Sequence, residues 1–180
     1  IDHILGALVY CHQHNILHRD VKPGNVLMKL NKNEISKAVL CDFGLAKYHN
    51  EVDKSPSSNV ITVSYRPPEI QQALYMNSAP IMYDGRVDVW SFCMMLAEMI
   101  TGKNFYTYIT SNSDRILRSY QREIQRSNLH KNGEDPYFGY ILTNVSLLMN
   151  CIKRFLRKYI NKDLQHLQFY IDIIYMGLTD

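Results

Sequence analysis

A polar loop of eight residues, from His18 to Asn25, constrains the fold of this chain more than any other feature. Before it, apolar residues recur at helical spacing and predict a helix from residue 1 to about residue 13 with one buried face. A Pro-Gly pair inside the loop forces a turn, and an apolar run at residues 26–28 follows. A polar loop held between a helix and a strand is a candidate functional site.

The rest of the chain contains strand and helix patterns of ordinary length. Apolar runs at residues 26–28 and 38–40 flank a polar stretch and predict a hairpin of two short strands. Residues 47–62 are polar without periodicity, which predicts a long functional loop. Residues 87–100 are apolar around most of a helical circumference and predict a buried helix that stops at Gly102. Further helices are predicted at residues 113–127, 145–159 and 164–178.

Composition is that of a globular domain with one sizeable core. Of the 180 residues, 46% are hydrophobic and 21% are charged. A formal charge of +3 is too small to predict nucleic acid or an anionic membrane as a partner. No apolar run approaches the roughly 20 residues of a membrane span, so we expect a soluble chain. The cysteines lie far apart, which argues against a disulfide scaffold or a zinc site and favours reduced thiols.

Two motifs carry a family resemblance. The segment His18-Arg19-Asp20-Val21-Lys22-Pro23-Gly24-Asn25, followed by Asp42-Phe43-Gly44, resembles the catalytic loop and metal-binding motif of eukaryotic Ser/Thr protein kinases. Residues 62–69 resemble the end of the activation segment of cyclin-dependent and mitogen-activated kinases. The resemblance implies a mainly α fold, the C-terminal (helical) lobe of the protein kinase fold, with short β-hairpins that carry the catalytic loop.

The resemblance also implies transfer of the γ-phosphoryl group of ATP to Ser/Thr hydroxyls. Such a transfer needs a base near the hydroxyl, cations on the phosphate oxygens and ligands that hold those cations. By resemblance, Asp20 is the catalytic base, Lys22 stabilises the transferring phosphoryl group, and Asn25 and Asp42 hold Mg²⁺. Asp and Asn are also common turn formers, but the combined pattern favours the catalytic interpretation.

Four further residues have implied supporting roles. His18 is expected to pack and hydrogen-bond within the core rather than transfer protons, and Arg19 to pair with a phosphate on the activation loop. Glu69 is expected to pair with an arginine near the end of the domain. Asp88 is expected to accept backbone N–H groups of the catalytic loop, because a carboxylate in an apolar helix needs such partners.

The activation segment has candidate residues for substrate binding and for regulation. Thr62 is expected to contact Asp20 and to align the substrate. Arg66 resembles the arginine that these kinases have beside the substrate channel, which hints at substrates with proline after the target residue. Ser64 stands where these kinases usually have tryptophan, which weakens this hint. Ser57 is the first-choice site for an upstream kinase and Ser58 the second. Serines are also common in flexible loops for no regulatory reason.

Residues 1–180 are interpreted as a partial kinase domain that is truncated at both ends, with the N-terminal lobe absent. The chain has no glycine-rich phosphate loop or strand lysine to complete an ATP site, so the missing lobe in cis is an expected partner beside protein substrates.

We expect a cytoplasmic or nuclear location, in a host cell if the source is viral. A pseudokinase or regulatory lobe that binds partners without catalysis is the alternative, and an inert truncated product is a third. The full set of catalytic side chains argues against the pseudokinase.

Overall fold

The computed structural model describes residues 1–32, 34–49, 61–75, 84–118 and 145–159. The predicted phosphoacceptor Ser57, the alternative Ser58 and the predicted helix at residues 164–178 lie outside these ranges. Within the described ranges, no helix is both long enough and apolar enough to cross a membrane.

Helix α1, Asp2–Gln13, confirms the helix predicted at the start of the chain. Its buried face consists of Ile4, Leu8 and Cys11, which recur at helical spacing. After α1, strand β1 (Ile16–Leu17) pairs antiparallel with strand β4 (Lys47–Tyr48). This pairing places the chain that enters the polar loop beside the chain that leaves the Asp-Phe-Gly motif.

The predicted hairpin is present and is longer than its apolar runs suggested. Strand β2, Val26–Asn31, pairs antiparallel with strand β3, Glu34–Leu40, and the register shifts between Lys29 and Leu30. Pairing of Asn31 with Glu34, and of Leu30 with Ile35, extends the hairpin into the stretch expected to be a polar connection.

The predicted fold class, a mainly α C-terminal (helical) lobe, is wrong. Residues 16–48 carry four strands in two antiparallel sheets, with the β character of the strand-rich N-terminal lobe of a kinase. The error arose because the apolar runs alone marked the hairpin, whereas strand pairing continues through residues 31 and 34–37. We therefore describe the chain as a mixed segment with both strands and helices.

Helices α2 (Pro68–Tyr75) and α3 (Arg86–Thr101) follow the described part of the activation segment. Helix α3 confirms the buried helix predicted for residues 87–100. Its stop is also confirmed: Gly102 adopts a left-handed conformation with φ of 64°, and its N–H donates to the Glu98 carbonyl at 2.8 Å.

Helices α4 (Phe105–Arg118) and α5 (Val145–Tyr159) complete the described core. Helix α5 has the predicted bounds. Helix α4 begins before the predicted residue 113, because Phe105 and Ile109 supply a buried face one turn apart. Phe155 of α5 packs edge-on against Phe105, with 5.3 Å between ring centroids. The main core joins α1, α3, α4 and α5 to the inner ends of the hairpin.

Candidate active site

The carboxylate of Asp20 lies at the centre of a group of polar side chains. Asp20 is 6% exposed, and its Oδ2 lies 2.6 Å from Lys22 Nζ and accepts a hydrogen bond from Asn25 Nδ2 at 2.9 Å. Its Oδ1 accepts a hydrogen bond from Thr62 Oγ1 at 2.6 Å. Lys22 Nζ also donates to Thr62 Oγ1 at 3.1 Å. The structure thus brings together four residues that the sequence places up to 42 positions apart.

These contacts set the ionisation of Asp20. Burial alone would raise its pKa, but hydrogen bonds from Lys22, Thr62 and Asn25, with the positive charge of Lys22, outweigh burial and lower the pKa below its ordinary value. Asp20 is therefore ionised at neutral pH and is ready to accept a hydrogen bond from a hydroxyl group.

Asn25 and Asp42 are the two residues predicted to hold a cation, and this role stays a prediction. Asn25 closes a short 3₁₀ turn, Pro23–Asn25, and its Nδ2 donates to both the carbonyl and the carboxylate of Asp20. Its amide oxygen therefore points away from these acceptors and suits a hard cation such as Mg²⁺. The backbone N–H of Cys41 donates to the Asn25 carbonyl at 2.9 Å, which ties Asp42 to the loop. No group of three or more His, Cys, Asp or Glu residues suited to a metal occurs among the described residues.

Asp88 holds the backbone of the loop. It is fully buried in the first turn of α3, and its two oxygens accept hydrogen bonds from the N–H groups of His18 and Arg19, each at 2.8 Å. The ring of His12, from α1, lies 2.9 Å from the same carboxylate. One buried carboxylate therefore connects α1, α3 and the catalytic loop, and its negative charge is compensated by three donors.

His18 is surrounded by packing and backbone contacts. It is fully buried, its Nδ1 accepts a hydrogen bond from the Asp20 N–H at 3.3 Å, and its Nε2 lies 3.1 Å from the Cys41 carbonyl. These contacts require the neutral tautomer with the proton on Nε2. The ring also packs edge-on against Phe43 at 4.7 Å. This environment supports a structural role and leaves neither ring nitrogen available for catalysis.

Arg19 lies where the loop meets the chain after the Asp-Phe-Gly motif. It is 5% exposed, adopts φ of 65°, and its Nε donates to the Leu45 carbonyl at 2.6 Å. The pairing of β1 with β4 places Lys47 opposite Leu17, two residues before Arg19. Lys47 begins the strand that runs on toward Ser57 in the sequence, and the pairing of Arg19 with a phosphate stays a prediction.

Arg66 and Glu69 follow the 3₁₀ turn Val63–Tyr65. The buried Arg66 guanidinium donates from Nε and Nη2 to the Ile61 carbonyl, at 3.1 and 2.9 Å, and from Nη1 to Gln71 Oε1 at 2.9 Å. Glu69 lies in the first turn of α2. Its side chain is exposed, yet partial desolvation by neighbouring atoms raises its pKa, and the positive charge of Arg86 opposes this rise. Arg86 is thus a cation near Glu69 that the sequence did not single out.

Sequence reasoning missed two residues that support the site, His12 and Gln71. His12 lies on a helix whose pattern showed only its apolar face. Gln71 lies in a short helix with no polar motif of its own. A buried polar residue next to Ile70 could have drawn attention to Gln71, but its partner, Arg66, was not predictable from spacing.

The site and the strands around it define a class of protein. A family model described as the protein kinase domain matches residues 1–166, so the chain belongs to the protein kinase family. The match extends across both the strand-bearing segment and the helices, and it assigns the chain to no single helical lobe.

Within the family, the chain is related to the cyclin-dependent kinases. It is 34% identical to cyclin-dependent kinase 1 of Encephalitozoon cuniculi over 118 residues, which are 66% of this chain and 36% of that protein. The chain therefore spans about a third of the length of this curated relative.

Two solved structures are also similar over part of the chain. The CAK complex from Chaetomium thermophilum bound to ATP-gamma-S shares 37% identity over 57% of this chain and 28% of that one, with a TM-score of 0.47. The yeast RNA Pol II CTD kinase CTDK-1 complex shares 31% identity over 57% of this chain and 30% of that one, also with a TM-score of 0.47.

Proposed function

We propose that this chain is the catalytic-loop part of an ATP-dependent protein serine/threonine kinase. The observation that carries the proposal is the contact of Asp20 with Lys22 and Thr62, which joins the catalytic loop to the activation segment around one ionised carboxylate. A scaffold has no chemical need for a buried carboxylate with this set of donors, since a buried charge is costly unless it is paired.

Each side chain has a definite task in the proposed reaction. Asp20 accepts the hydrogen bond of the substrate hydroxyl and directs its oxygen toward the γ-phosphorus of ATP. As the new O–P bond forms, the bond from the γ-phosphorus to the bridging oxygen breaks, ADP carries away the negative charge, and the hydroxyl proton passes to Asp20. Lys22 stabilises the negative charge of the transferring group. Mg²⁺, which Asn25 and Asp42 would hold, neutralises phosphate oxygens when it is bound.

The lowered pKa of Asp20 favours orientation over strong base catalysis. A carboxylate whose pKa lies below its ordinary range is a weak proton acceptor, and its main contribution is to position the hydroxyl. Phosphoryl transfer needs little proton removal before the phosphoryl group arrives, so a weak base at this position suits the reaction.

Replacement of Asp20 by Asn tests the proposal. In the full-length kinase, with radiolabelled ATP, Mg²⁺ and a mixture of Ser and Thr peptides, we expect kcat to fall by roughly 10² to 10⁴-fold. Asp2→Asn, at an exposed position of α1, is the matched control and should retain full activity. Equal activity of D20N and wild type would contradict the role of Asp20. A folded wild-type protein that transfers no phosphate would favour the pseudokinase alternative.

A preference for proline after the target residue is part of the proposal. Two guanidinium N–H groups of Arg66 occupy the lone pairs of the Ile61 carbonyl, and Ile61 directly precedes Thr62 beside Asp20. A substrate residue with a backbone N–H finds no acceptor at that carbonyl, whereas proline has no N–H to leave unpaired. Substrates with Ser-Pro or Thr-Pro are therefore favoured.

A further inference from the structure

The positive charge of the chain is concentrated on two helices. Helices α4 and α5 together contain six Lys and Arg residues and one Asp, whereas the whole chain has a formal charge of only +3. The rest of the chain therefore has a formal charge of −2. Helix α5 contributes four of these six cations and has no acidic residue. A local excess of one sign of charge attracts a partner of the opposite sign.

Helix α5 presents cations on the side that faces away from the core. Its buried residues are Leu148, Cys151, Ile152, Phe155 and Leu156. Arg154 and Lys158 are exposed and lie four residues apart, so they are neighbours on one face of the helix. Within the described ranges, neither side chain forms an ion pair with a carboxylate. Like charges at this spacing repel each other, and a bound anion would relieve the repulsion.

Two tyrosine rings hold the ammonium group of Lys158 in place. Lys158 Nζ lies 5.1 Å from the ring centroid of Tyr159 and 5.5 Å from that of Tyr108, within the range of cation–π contacts. Both rings pack against the buried Phe155, at 5.3 and 5.2 Å between centroids. Burial raises the pKa of Tyr108, and the charges of Lys158 and Arg154 both oppose this rise, so both cations lie near one phenol. A cation positioned in advance loses less freedom when it binds a ligand.

We propose that the exposed face of α5 around Arg154 and Lys158 is a docking site for an Asp- and Glu-rich segment of a partner protein. The planar fork of Arg154 matches a carboxylate through two N–H groups, and Lys158 offers a compact charge. Four residues of helix separate the two by about 6 Å along the axis. Alternate side chains of an extended peptide are spaced by roughly 7 Å, so two carboxylates of one segment fit the pair.

Charge and burial favour an acidic peptide over the other anionic partners. A long polyanion such as a nucleic acid would extend beyond α5 and meet the rest of the chain, whose formal charge of −2 repels it. A helix that lies on a membrane inserts its apolar face, but the apolar residues of α5 are already buried in the core. A short acidic segment meets only the cations.

The test measures binding of a fluorescein-labelled hexaglutamate peptide to the full-length kinase by fluorescence anisotropy at low ionic strength. Arg154→Gln and Lys158→Gln should each raise the Kd roughly two- to fivefold, the worth of one exposed ion pair. Lys158→Arg keeps the charge and the contact with the rings, so it should bind as wild type does. Lys37→Gln, at an exposed position of β3, removes the same charge elsewhere and is the matched control with unchanged Kd.

The outcomes separate this inference from its alternatives. No binding by wild type, equal binding of a hexaglutamine peptide, or an equal rise in Kd in Lys37→Gln overturns the docking site. A single-stranded oligonucleotide or a phosphatidylserine vesicle that loses more affinity than hexaglutamate in the double variant overturns the choice of an acidic peptide. If the double variant does not fold, the two single variants take its place.

Catalysis provides an independent measurement. Arg154 and Lys158 belong to neither the catalytic loop nor the activation segment, so the double variant should keep the kcat of wild type on Ser and Thr peptides. A weakened hexaglutamate complex with unchanged kcat supports the docking site. Hexaglutamate binding by an inactive wild type also supports it and contradicts the kinase proposal alone.

Discussion

At the scale of single residues, the ionisation of Asp20 is the property most dependent on its neighbours. An isolated buried carboxylate would have a raised pKa, yet three hydrogen-bond donors reverse this effect. Two of them, Lys22 and Asn25, come from the same loop, and the third, Thr62, comes from a distant segment. The low pKa of Asp20 is therefore a property of the assembled site.

The pKa of Asp20 predicts a pH dependence of stability. Because the folded-state pKa is lowered, the stabilising contribution is present above the unfolded-state pKa of about 3.9 and is lost as the pH falls through the folded-state value. Wild type should therefore lose stability relative to Asp20→Asn as the pH falls below about 4. The measurement is urea unfolding of both proteins at pH 7, 5 and 3.5. A difference in the free energy of unfolding that does not change with pH would contradict this prediction.

At the scale of elements, the close approach of α1 to the start of α3 holds the catalytic loop. The His12 ring lies over Gly85, the residue before α3, and reaches the Asp88 carboxylate at 2.9 Å. A Cβ atom at position 85 would lie 2.9 Å from His12 Nδ1 and 3.0 Å from Cε1, which is closer than van der Waals contact allows. Because Gly85 has no side chain, the His12 imidazole can reach the Asp88 carboxylate.

Replacement of Gly85 by Ala should destabilise the fold by about 1–3 kcal/mol, because the methyl group overpacks against the His12 ring. Urea unfolding of the single and double variants with His12→Ala would check this cause. In the His12→Ala background, the cost of Gly85→Ala should be smaller by at least about 0.5 kcal/mol, because the clashing ring is gone.

Gly6 supplies the control for this experiment. It lies within α1, and nothing is found within 4 Å of an added Cβ atom. Gly6→Ala should therefore stabilise the helix by roughly 0.5–1 kcal/mol. If Gly85→Ala were as harmless as Gly6→Ala, the packing argument for position 85 would be wrong.

At the scale of the whole molecule, one core joins the hairpin of β2 and β3 to the helices. Phe155 of α5 is fully buried and packs against the rings of Phe105, Tyr108 and Tyr159. Burial also raises the pKa of the Cys93 thiol to about 12 and that of the Cys151 thiol to about 11. These thiols are protonated and unreactive at neutral pH, as core residues are.

Replacement of Phe155 by Ala should destabilise the fold by about 3–5 kcal/mol through the cavity it leaves. Met99→Ala is the matched control, because the Met99 side chain is 60% exposed and its loss should change the free energy of unfolding by less than about 0.5 kcal/mol. Chemical denaturation of both variants measures the difference. Similar stabilities for the two variants would show that the aromatic cluster is not part of the cooperative core.

The sequence predicted the elements whose signal is local. Helices α1, α3 and α5 and the stop at Gly102 follow from periodicity and from a residue that tolerates positive φ. The extent of β2 and β3 did not follow, because strand pairing depends on the partner strand as well as on the pattern within each strand. The predicted fold class, a C-terminal helical lobe, was wrong because the extent of this strand pairing could not be predicted.

By itself, the sequence determined which side chains are available for chemistry, since His18 to Asn25 and the Asp-Phe-Gly motif form contiguous patterns whose residue types suit phosphoryl transfer. Only the tertiary structure decided how they are held: the contact of the His12 ring with the Asp88 carboxylate, the low pKa of Asp20, and the Gln71–Arg66–Ile61 chain of hydrogen bonds. The physical reason is that hydrogen bonds and desolvation depend on distances between residues far apart in the sequence, and those distances exist only once the chain has folded.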